Sequence, residues 1–149
     1  MITTDLADTT SWQRVASRAT HPSAVPVLLG AGDLLVEIAA GMGRVTVPGD
    51  LTSTAPTSLS RELVLTTPTY DVWVMSWPAG EAADLHAHDA FVAFHVVSGG
   101  LVEERYEGAT LVRADRAAGS TTLVAPQMPH RLLSTERSTT VHVHAKDPR

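Results

Sequence analysis

Hydrophobic and polar positions change their spacing along the chain near Arg61. After this point the apolar residues fall in short runs rich in Val, Thr and aromatic residues, as is typical of β-strands. Turn sequences such as WPAGE, SGG, EG, AAG and PQMP separate the runs. The pattern predicts seven strands: ELVL, YDVWVMSW, FVAFHVVS, LVEERYE, TLVRAD, STTLVA and TTVHVHA. Many short strands at close spacing favour an antiparallel sandwich or a small barrel.

The first third of the chain has a different pattern. TTSWQRVASRA begins with threonines that can cap a short helix. GDLLVEIAAGMG predicts a second helix, with Asp33 as its N-cap and Gly41 as its stop. The Pro-, Ser- and Thr-rich stretch from Pro48 to Ser60 predicts a loop, and the segment before it is short for an independent domain. We therefore predict a single domain over residues 1–149, with a helical and loop part at 1–60 and a barrel at 61–146.

Composition narrows the classes of function. The 149 residues are enough to bury a core, and 44% of them are hydrophobic, which is ordinary for a folded protein. A net charge of -5 gives no basic surface, so we expect no nucleic-acid partner. No apolar run is long enough to span a membrane and the first residues lack a secretion signal, so we expect a cytoplasmic protein with no membrane partner.

The chain contains no cysteine, which excludes disulfides, thiolate metal sites and cysteine nucleophiles. Metal ligands must then come from the 7 histidines and 16 acidic residues. Two histidines, His86 and His88, lie one residue apart in GEAADLHAHDAFVAFHVVSGG, a strand-like run. Residues i and i+2 of a strand point the same way, so both imidazoles should project together. His130 follows a Pro-rich turn in APQMPHRLLS.

The last predicted strand carries two further histidines. Alternation in TTVHVHA places Thr140, His142 and His144 on one face and Val141 and Val143 on the other. If the valines face a hydrophobic layer, the histidines face the opposite side.

These histidines admit two interpretations. A lone histidine is more often an ordinary residue of a sheet or a surface, and we interpret His21 and His95 in this way. A His-x-His pair favours a metal site, because neutral imidazole is a common ligand and one strand face then supplies two ligands at fixed geometry.

The residues around the pair resemble the first motif of the cupin family. Gly80, five residues, His86-x-His88, and Gly99 after a strand match that motif. The exception is Val92, which stands where the family has a Glu.

The second cupin motif has a weaker counterpart in GSTTLVAPQMPHRLLS. Gly119, Pro126 and His130 correspond to it, and Ser134 stands at the position of the family's Asn. The match is shifted by a residue on each side of Pro126 and lacks the central Gly. Together the motifs imply a mainly β fold, a small cupin barrel of the jelly-roll type with short N-terminal helices. The ligands that the resemblance implies are His86, His88 and His130.

A cupin site without the Glu is similar to that of the thiol dioxygenases, typified by cysteine dioxygenase. RELVLTTPTYDVWVMSW resembles the family's Arg-x-Leu stretch, and Arg61 occupies the position of the Arg that grips the substrate carboxylate. GGLVEERY matches the family's Gly-x-Leu-x-Glu with Gly99, Leu101 and Glu103.

The C-terminal strand resembles the family's Ser-x-His-x-Tyr triad. Thr140 stands for the Ser and His142 for the His, whereas His144 stands where the Tyr is expected. The resemblance implies that these three side chains are catalytic and lie beside the metal. With neither that Tyr nor a cysteine, the crosslink found in some members cannot form.

The resemblance implies an enzyme in which Fe(II) and O2 oxidise a small carboxylate-bearing thiol, such as L-cysteine, to a sulfinic acid. Nickel or another divalent transition metal is an alternative, because imidazole suits several ions. A non-thiol substrate such as a diketone or flavonol, and a non-catalytic ligand-binding cupin, also stay open. The sequence indicates no oligomeric state.

Overall fold

The computed structural model describes residues 31–48 and 56–146, and within these ranges it has one helix and eight strands. All of these residues except Ala31 belong to a compact unit that begins at Gly32. The elements are α1 (Ala31–Val45), β1 (Ser60–Thr66), β2 (Tyr70–Trp77), β3 (Val92–Ser98), β4 (Gly100–Glu107), β5 (Thr110–Ala117), β6 (Thr121–Val124), β7 (His130–Ser134) and β8 (Ser138–Ala145).

The strands form two antiparallel sheets with apolar residues between them. One sheet has the order β1-β2-β8-β3-β6 and the other has the order β5-β4-β7. The core between them draws side chains from both sheets, among them Trp77, Phe94, Leu101 and Leu132. Alternation along β3 directs Val92, Phe94 and Val96 into this core, and the residues between them point outward.

Helix α1 packs on the outer face of the five-stranded sheet. Leu35 and Ala39 of the helix contact an apolar cluster that includes Val72, Val141 and Val143. The prediction for β8 is confirmed, since its valines face a hydrophobic layer and its histidines lie on the opposite side. Among the residues that the structure describes, no helix is long and apolar enough to cross a membrane.

The prediction of a mainly β fold and of seven strands is confirmed. The eighth strand, β7, was not predicted, because HRLLS is short and starts on a histidine after a proline turn. TTSWQRVASRA lies outside the described residues, as does most of the predicted loop. Its described residues Pro48 and 56–59 have no helix or strand, whereas Ser60, its predicted last residue, begins β1. That residues 1–149 make one domain stays a prediction.

The predicted bounds of the second helix were wrong at both ends. Asp33 lies in the first turn rather than at the cap, where its charge still suits the positive end of the helix dipole. The helix continues through Gly41 and ends at Val45. Packing against the sheet stabilises the extra turn, and packing also explains the glycine that follows, since Gly43 is buried against the ring of His95.

The segment between β2 and β3 lies along β7 as an irregular extension of the smaller sheet. Isolated antiparallel bridges join Ala82 to Leu133 and His86 to His130. Between the two bridges the segment advances by four residues and β7 by three, so one extra residue interrupts the ladder as in a β-bulge. The prediction that His86 and His88 lie in one regular strand was therefore wrong.

Replacing Gly43 with Ala should destabilise the protein, because a Cβ there would clash with Cδ2 of His95. Overpacking of this kind costs about 1–3 kcal/mol. The matched control is Gly41→Ala in the same helix, where the nearest group is the guanidinium of Arg44, at 3.6 Å. This control should stabilise the protein by about 0.5–1 kcal/mol, since alanine is the better helix former. Chemical denaturation measures both changes, and a harmless Gly43→Ala would contradict the close contact.

His95 should make the metal-free protein sensitive to acid. Burial, and then the Arg44 guanidinium, lower the pKa of His95. Below about pH 6.5 the unfolded chain takes up a proton that the folded protein does not, so stability falls as the pH drops toward the lowered pKa. In His95→Gln the free energy of unfolding should fall less steeply over this range, by up to about 1.4 kcal/mol per pH unit. Urea titrations above and below pH 6.5 measure the slopes, and parallel curves would refute the assignment.

Candidate metal centre

Three imidazoles converge between the segment that follows β2 and the start of β7. The Nε2 atoms of His86 and His88 are 3.0 Å apart, and Nε2 of His88 is 3.4 Å from Nε2 of His130. One nitrogen from each ring lies within 4.8 Å of the others. The three predicted ligands are thus brought together, although His86 and His88 do not share a regular strand.

Backbone hydrogen bonds fix two of these residues to each other. The N–H of His86 donates to the carbonyl of His130 at 3.0 Å, and the N–H of His130 donates to the carbonyl of His86 at 2.8 Å. Ser134, at the other end of β7, anchors the same segment by accepting a 2.9 Å hydrogen bond from the N–H of Glu81 on its Oγ. The Ser at the family's Asn position therefore holds the chain that leads to the ligands.

A tight turn holds the third residue. The N–H of Gln127 donates to the carbonyl of His88 at 2.8 Å. Gln127 has a φ of 65°, in the left-handed region that favours glycine. It lies in the Pro-rich turn that lacks the central Gly of the cupin motif. Gln127 therefore adopts, in that turn, a backbone conformation that a glycine would take more readily.

Hydrogen bonds also fix the protonation of two rings. Nδ1 of His86 lies 2.7 Å from the carbonyl of Asp84, and Nδ1 of His130 lies 2.9 Å from Oε2 of Glu103. A carbonyl and an ionised carboxylate only accept, so each Nδ1 carries the proton and each Nε2 presents a lone pair to the centre.

The two spacings that involve His88, to His86 and to His130, fit a transition-metal ion. With metal–nitrogen bonds of about 2.1 Å, adjacent ligand atoms are about 3.0 Å apart around an octahedral ion and about 3.4 Å apart around a tetrahedral one. No carboxylate joins the three-histidine group among the described residues. Val92, at the position of the missing Glu, is buried in the apolar core. The donor set is therefore three imidazoles, which suits iron, nickel, cobalt, copper or zinc.

The electrostatics favour neutral rings. Burial, and then the neighbouring imidazoles, lower the pKa of His88 to about 4. Burial and then the Arg61 guanidinium lower the pKa of His144 to about 4, and burial holds the pKa of His142 well below its ordinary value. At neutral pH these side chains are uncharged, so His88 can ligate without first losing a proton.

The predicted catalytic row on β8 lies next to the centre. The ring centroids of His144 and His88 are 5.1 Å apart. His142 is buried behind them, stacked on Phe94, with Nε2 2.8 Å from Oγ1 of Thr140. The predicted Thr140–His142 contact is therefore present, whereas Thr140 itself lies behind His142 and does not line the cavity.

The rings of these histidines open onto a cavity of about 440 Å³. Its walls are largely apolar and include Met75, Trp77 and Leu132. Arg61 lies on the wall, exposed to solvent, with its guanidinium carbon 5.0 Å from the centroid of the Trp73 ring. All the predicted site residues except Thr140 line this one space; they are Arg61, His86, His88, His130, His142 and His144.

His95 and His21 were predicted to be ordinary residues outside the metal site, and the structure describes only the first of them. His95 faces the helix rather than the cavity, and its Nδ1 lies 2.8 Å from Oγ1 of Thr121. His21 lies outside the described residues.

Two polar residues of the site, Trp77 and Glu103, were not predicted from the sequence to have a role there. Trp77 donates a 2.9 Å hydrogen bond from Nε1 to Oγ1 of Thr140, and this bond fixes the hydroxyl that faces His142. Glu103 is fully buried behind His130, although only a family motif drew attention to it. Alternation in LVEERYE was the available signal, because it places Glu103 on the same face as the buried Leu101.

Comparison with known proteins supports the fold. No family model and no curated protein matches the sequence. Among solved structures, a cupin superfamily protein from Desulfitobacterium hafniense has a TM-score of 0.57 at 11% identity, covering 65% of this chain and 85% of that one. An RmlC-like cupin with a double-stranded β-helix fold from Methanocaldococcus jannaschii has a TM-score of 0.55 at 13% identity, covering 69% and 92%.

A further likeness is to an RmlC-like cupin from Shewanella frigidimarina, with a TM-score of 0.53 at 16% identity, covering 70% of this chain and 87% of that one. These identities are too low to carry a function, but the three structures agree on the architecture. The protein has the cupin fold, and its three-histidine group lies in the cavity of that fold.

Proposed function

We propose that this protein is a mononuclear metal-dependent dioxygenase that oxidises a carboxylate-bearing thiol to a sulfinic acid. The observation that carries the proposal is the group of three imidazoles, without a carboxylate, at the wall of a cavity that also holds Arg61. Neutral donors leave the full charge of a divalent ion unbalanced, which favours an anionic ligand such as a thiolate.

A bound Fe(II) ion would supply Lewis acidity and redox chemistry toward a thiolate and O2, with nickel or another divalent metal as the alternative. His86, His88 and His130 would hold it through Nε2. The structure supports this role because two of these rings already carry their protons on the opposite nitrogen.

Arg61 would bind the substrate carboxylate. Its guanidinium rests against Trp73, which limits the conformations that binding would otherwise have to select. It is also close enough to lower the pKa of His144, so a carboxylate bound at Arg61 would lie beside that ring. The guanidinium offers a charge-assisted, two-pronged contact of the kind that carboxylates accept.

His144 would act as a neutral hydrogen-bonding partner for the substrate. A neutral imidazole can donate from one nitrogen and accept at the other, whereas a protonated one can only donate. His142 lies beside it on the same strand face, and Thr140 would hold the orientation of His142 through the bond at Nε2. In this arrangement Thr140 is a positioning residue.

The size of the cavity favours a second candidate. If each atom takes about the room of a water molecule, the few non-hydrogen atoms of L-cysteine would occupy roughly half of the 440 Å³. The apolar walls would suit a larger carbon skeleton. A non-thiol cupin oxygenase, acting for example on a diketone or flavonol, is therefore the alternative, and a larger carboxylate-bearing thiol would satisfy both observations.

Replacing His88 with Ala should abolish stoichiometric metal binding, since the two remaining imidazoles form a much weaker site. The protein is loaded anaerobically with Fe(II), Ni(II) or Co(II), and bound metal is measured after desalting. His95→Gln is the matched control, because that histidine faces the helix.

Oxygen uptake is then screened with cysteine, homocysteine, cysteamine, 3-mercaptopropionate and diketones. Metal loading without oxygen uptake on any of these would refute the dioxygenase and favour ligand binding.

Replacing Arg61 with Ala should lower kcat/KM for carboxylate-bearing thiols by about 10- to 100-fold, the value of one charge-assisted contact. Turnover of cysteamine, which has no carboxylate, should change little. Arg113→Ala is the matched control, since Arg113 is an exposed strand residue paired with Glu104 and distant from the cavity lining. Steady-state kinetics with both substrates measure the effect, and an equal loss on cysteamine would contradict the carboxylate contact.

A further inference from the structure

We propose that Glu103 is a positioning residue for the metal centre: it fixes His130 with a lone pair on Nε2 and places a negative charge one hydrogen bond behind that ligand. The inference rests on the metal centre proposed above and concerns residues outside its donor set.

Glu103 lies at the centre of a buried polar cluster. Its side chain is fully buried, and its Oε2 accepts a 2.9 Å hydrogen bond from Nδ1 of His130, which is itself buried. Its Oε1 accepts from Nη2 of Arg105 at 2.8 Å and from Nε and Nη2 of Arg116 at 3.1 and 2.7 Å. The two oxygens therefore have separate partners: the arginines on one side and the histidine on the other.

The pairing of β4 with β7 produces this contact. Glu103 lies opposite Leu132, and Arg105 lies opposite His130. Glu103 and His130 are thus diagonal neighbours across the strand pair, within reach of a long side chain. The register places the carboxylate behind the ring, on the side away from the three-histidine centre.

The arginines keep the carboxylate ionised. Two guanidinium groups donate three hydrogen bonds to Oε1, and the Nδ1–H of His130 donates to Oε2, so every contact of this buried carboxylate is one that favours its charged form. An ionised carboxylate is only an acceptor, so the proton of His130 must stay on Nδ1. A carboxylate behind a ligating histidine also makes the ring a stronger donor to metal.

The neighbouring Glu104 shows that a buried glutamate on this strand can be paired by two arginines without also contacting a histidine. Glu104 is also buried and also binds two arginines, Arg113 at 2.7 Å and Arg131 at 2.7 Å. It lies on the opposite face of β4 and has no histidine partner among the described contacts. The described part of the chain thus contains two similar glutamate–arginine clusters, of which one is joined to a metal-ligand candidate.

The test compares Glu103→Gln with Glu104→Gln. In Glu103→Gln the arginines should draw the amide oxygen to their side, which turns the NH2 group toward His130 and favours the tautomer with the proton on Nε2. Affinity for Co(II) or Ni(II), measured by competitive titration, should fall about 10- to 100-fold. Glu104→Gln should bind within about twofold of the unsubstituted protein. Equal affinities in both variants would overturn the proposal.

A measurement on the unsubstituted protein keeps the proposal testable if Glu103→Gln does not fold. Long-range ¹⁵N–¹H NMR of the metal-free protein should show His130 protonated on Nδ1, and a proton on Nε2 would overturn the role of Glu103. If the unsubstituted protein binds neither metal, the proposed centre itself is refuted. If it binds metal and Glu103→Gln binds equally well, the centre stands and the role of Glu103 is refuted.

Discussion

The candidate site depends on a pair of backbone hydrogen bonds between His86 and His130. These residues come from an irregular segment and from a short strand, and each bond joins the N–H of one to the carbonyl of the other. Because the backbones are fixed to each other, the two rings have little freedom to separate, and only His88 has to be added. A hydrogen bond from the N–H of Gln127, in the β6–β7 turn, to the carbonyl of His88 holds this third residue in place. Three short backbone contacts therefore place three imidazoles from two parts of the sequence.

The interior of this barrel combines an apolar core with a polar row that an ordinary sheet would not bury. His142 and Thr140 lie in the same layer as Phe94, where Oγ1 of Thr140 binds both Nε2 of His142 and Nε1 of Trp77. A buried polar group without a partner costs about 1–3 kcal/mol, so this network lets the imidazole lie behind the cavity at low cost. Burial lowers the pKa of His142 and of His144 and so keeps both rings uncharged at neutral pH. Uncharged rings do not repel a metal cation bound beside them.

The alternation of residues was enough to predict most of the fold, and its failures have local causes. Period-2 patterning predicted seven strands and the two faces of β8, since one face of that strand packs on a helix and the other lines the cavity. The same patterning wrongly placed His86 and His88 in a regular strand, because the extra residue of a bulge does not change the alternation of polar and apolar residues in a recognisable way. The patterning did not predict β7, because a strand of 5 residues is too short to show a clear alternation. Glu103 was not predicted as a site residue because strand patterning assigns a face but not a partner. Its partners His130 and Arg116 come from two other strands, and Arg105 comes from its own.

The position of charge in the centre follows from these contacts. Val92 removes the carboxylate that would neutralise part of a metal's charge, and Glu103 places one beyond the ligand instead. Arg105 and Arg116 bind Glu103 on the side away from His130, so this negative charge lies outside both the donor set and the cavity lining. An anionic substrate would therefore meet an undiminished divalent ion, with Arg61 on the wall as a second positive group. The same arrangement would discriminate against a cationic or neutral ligand, which gains nothing from either charge.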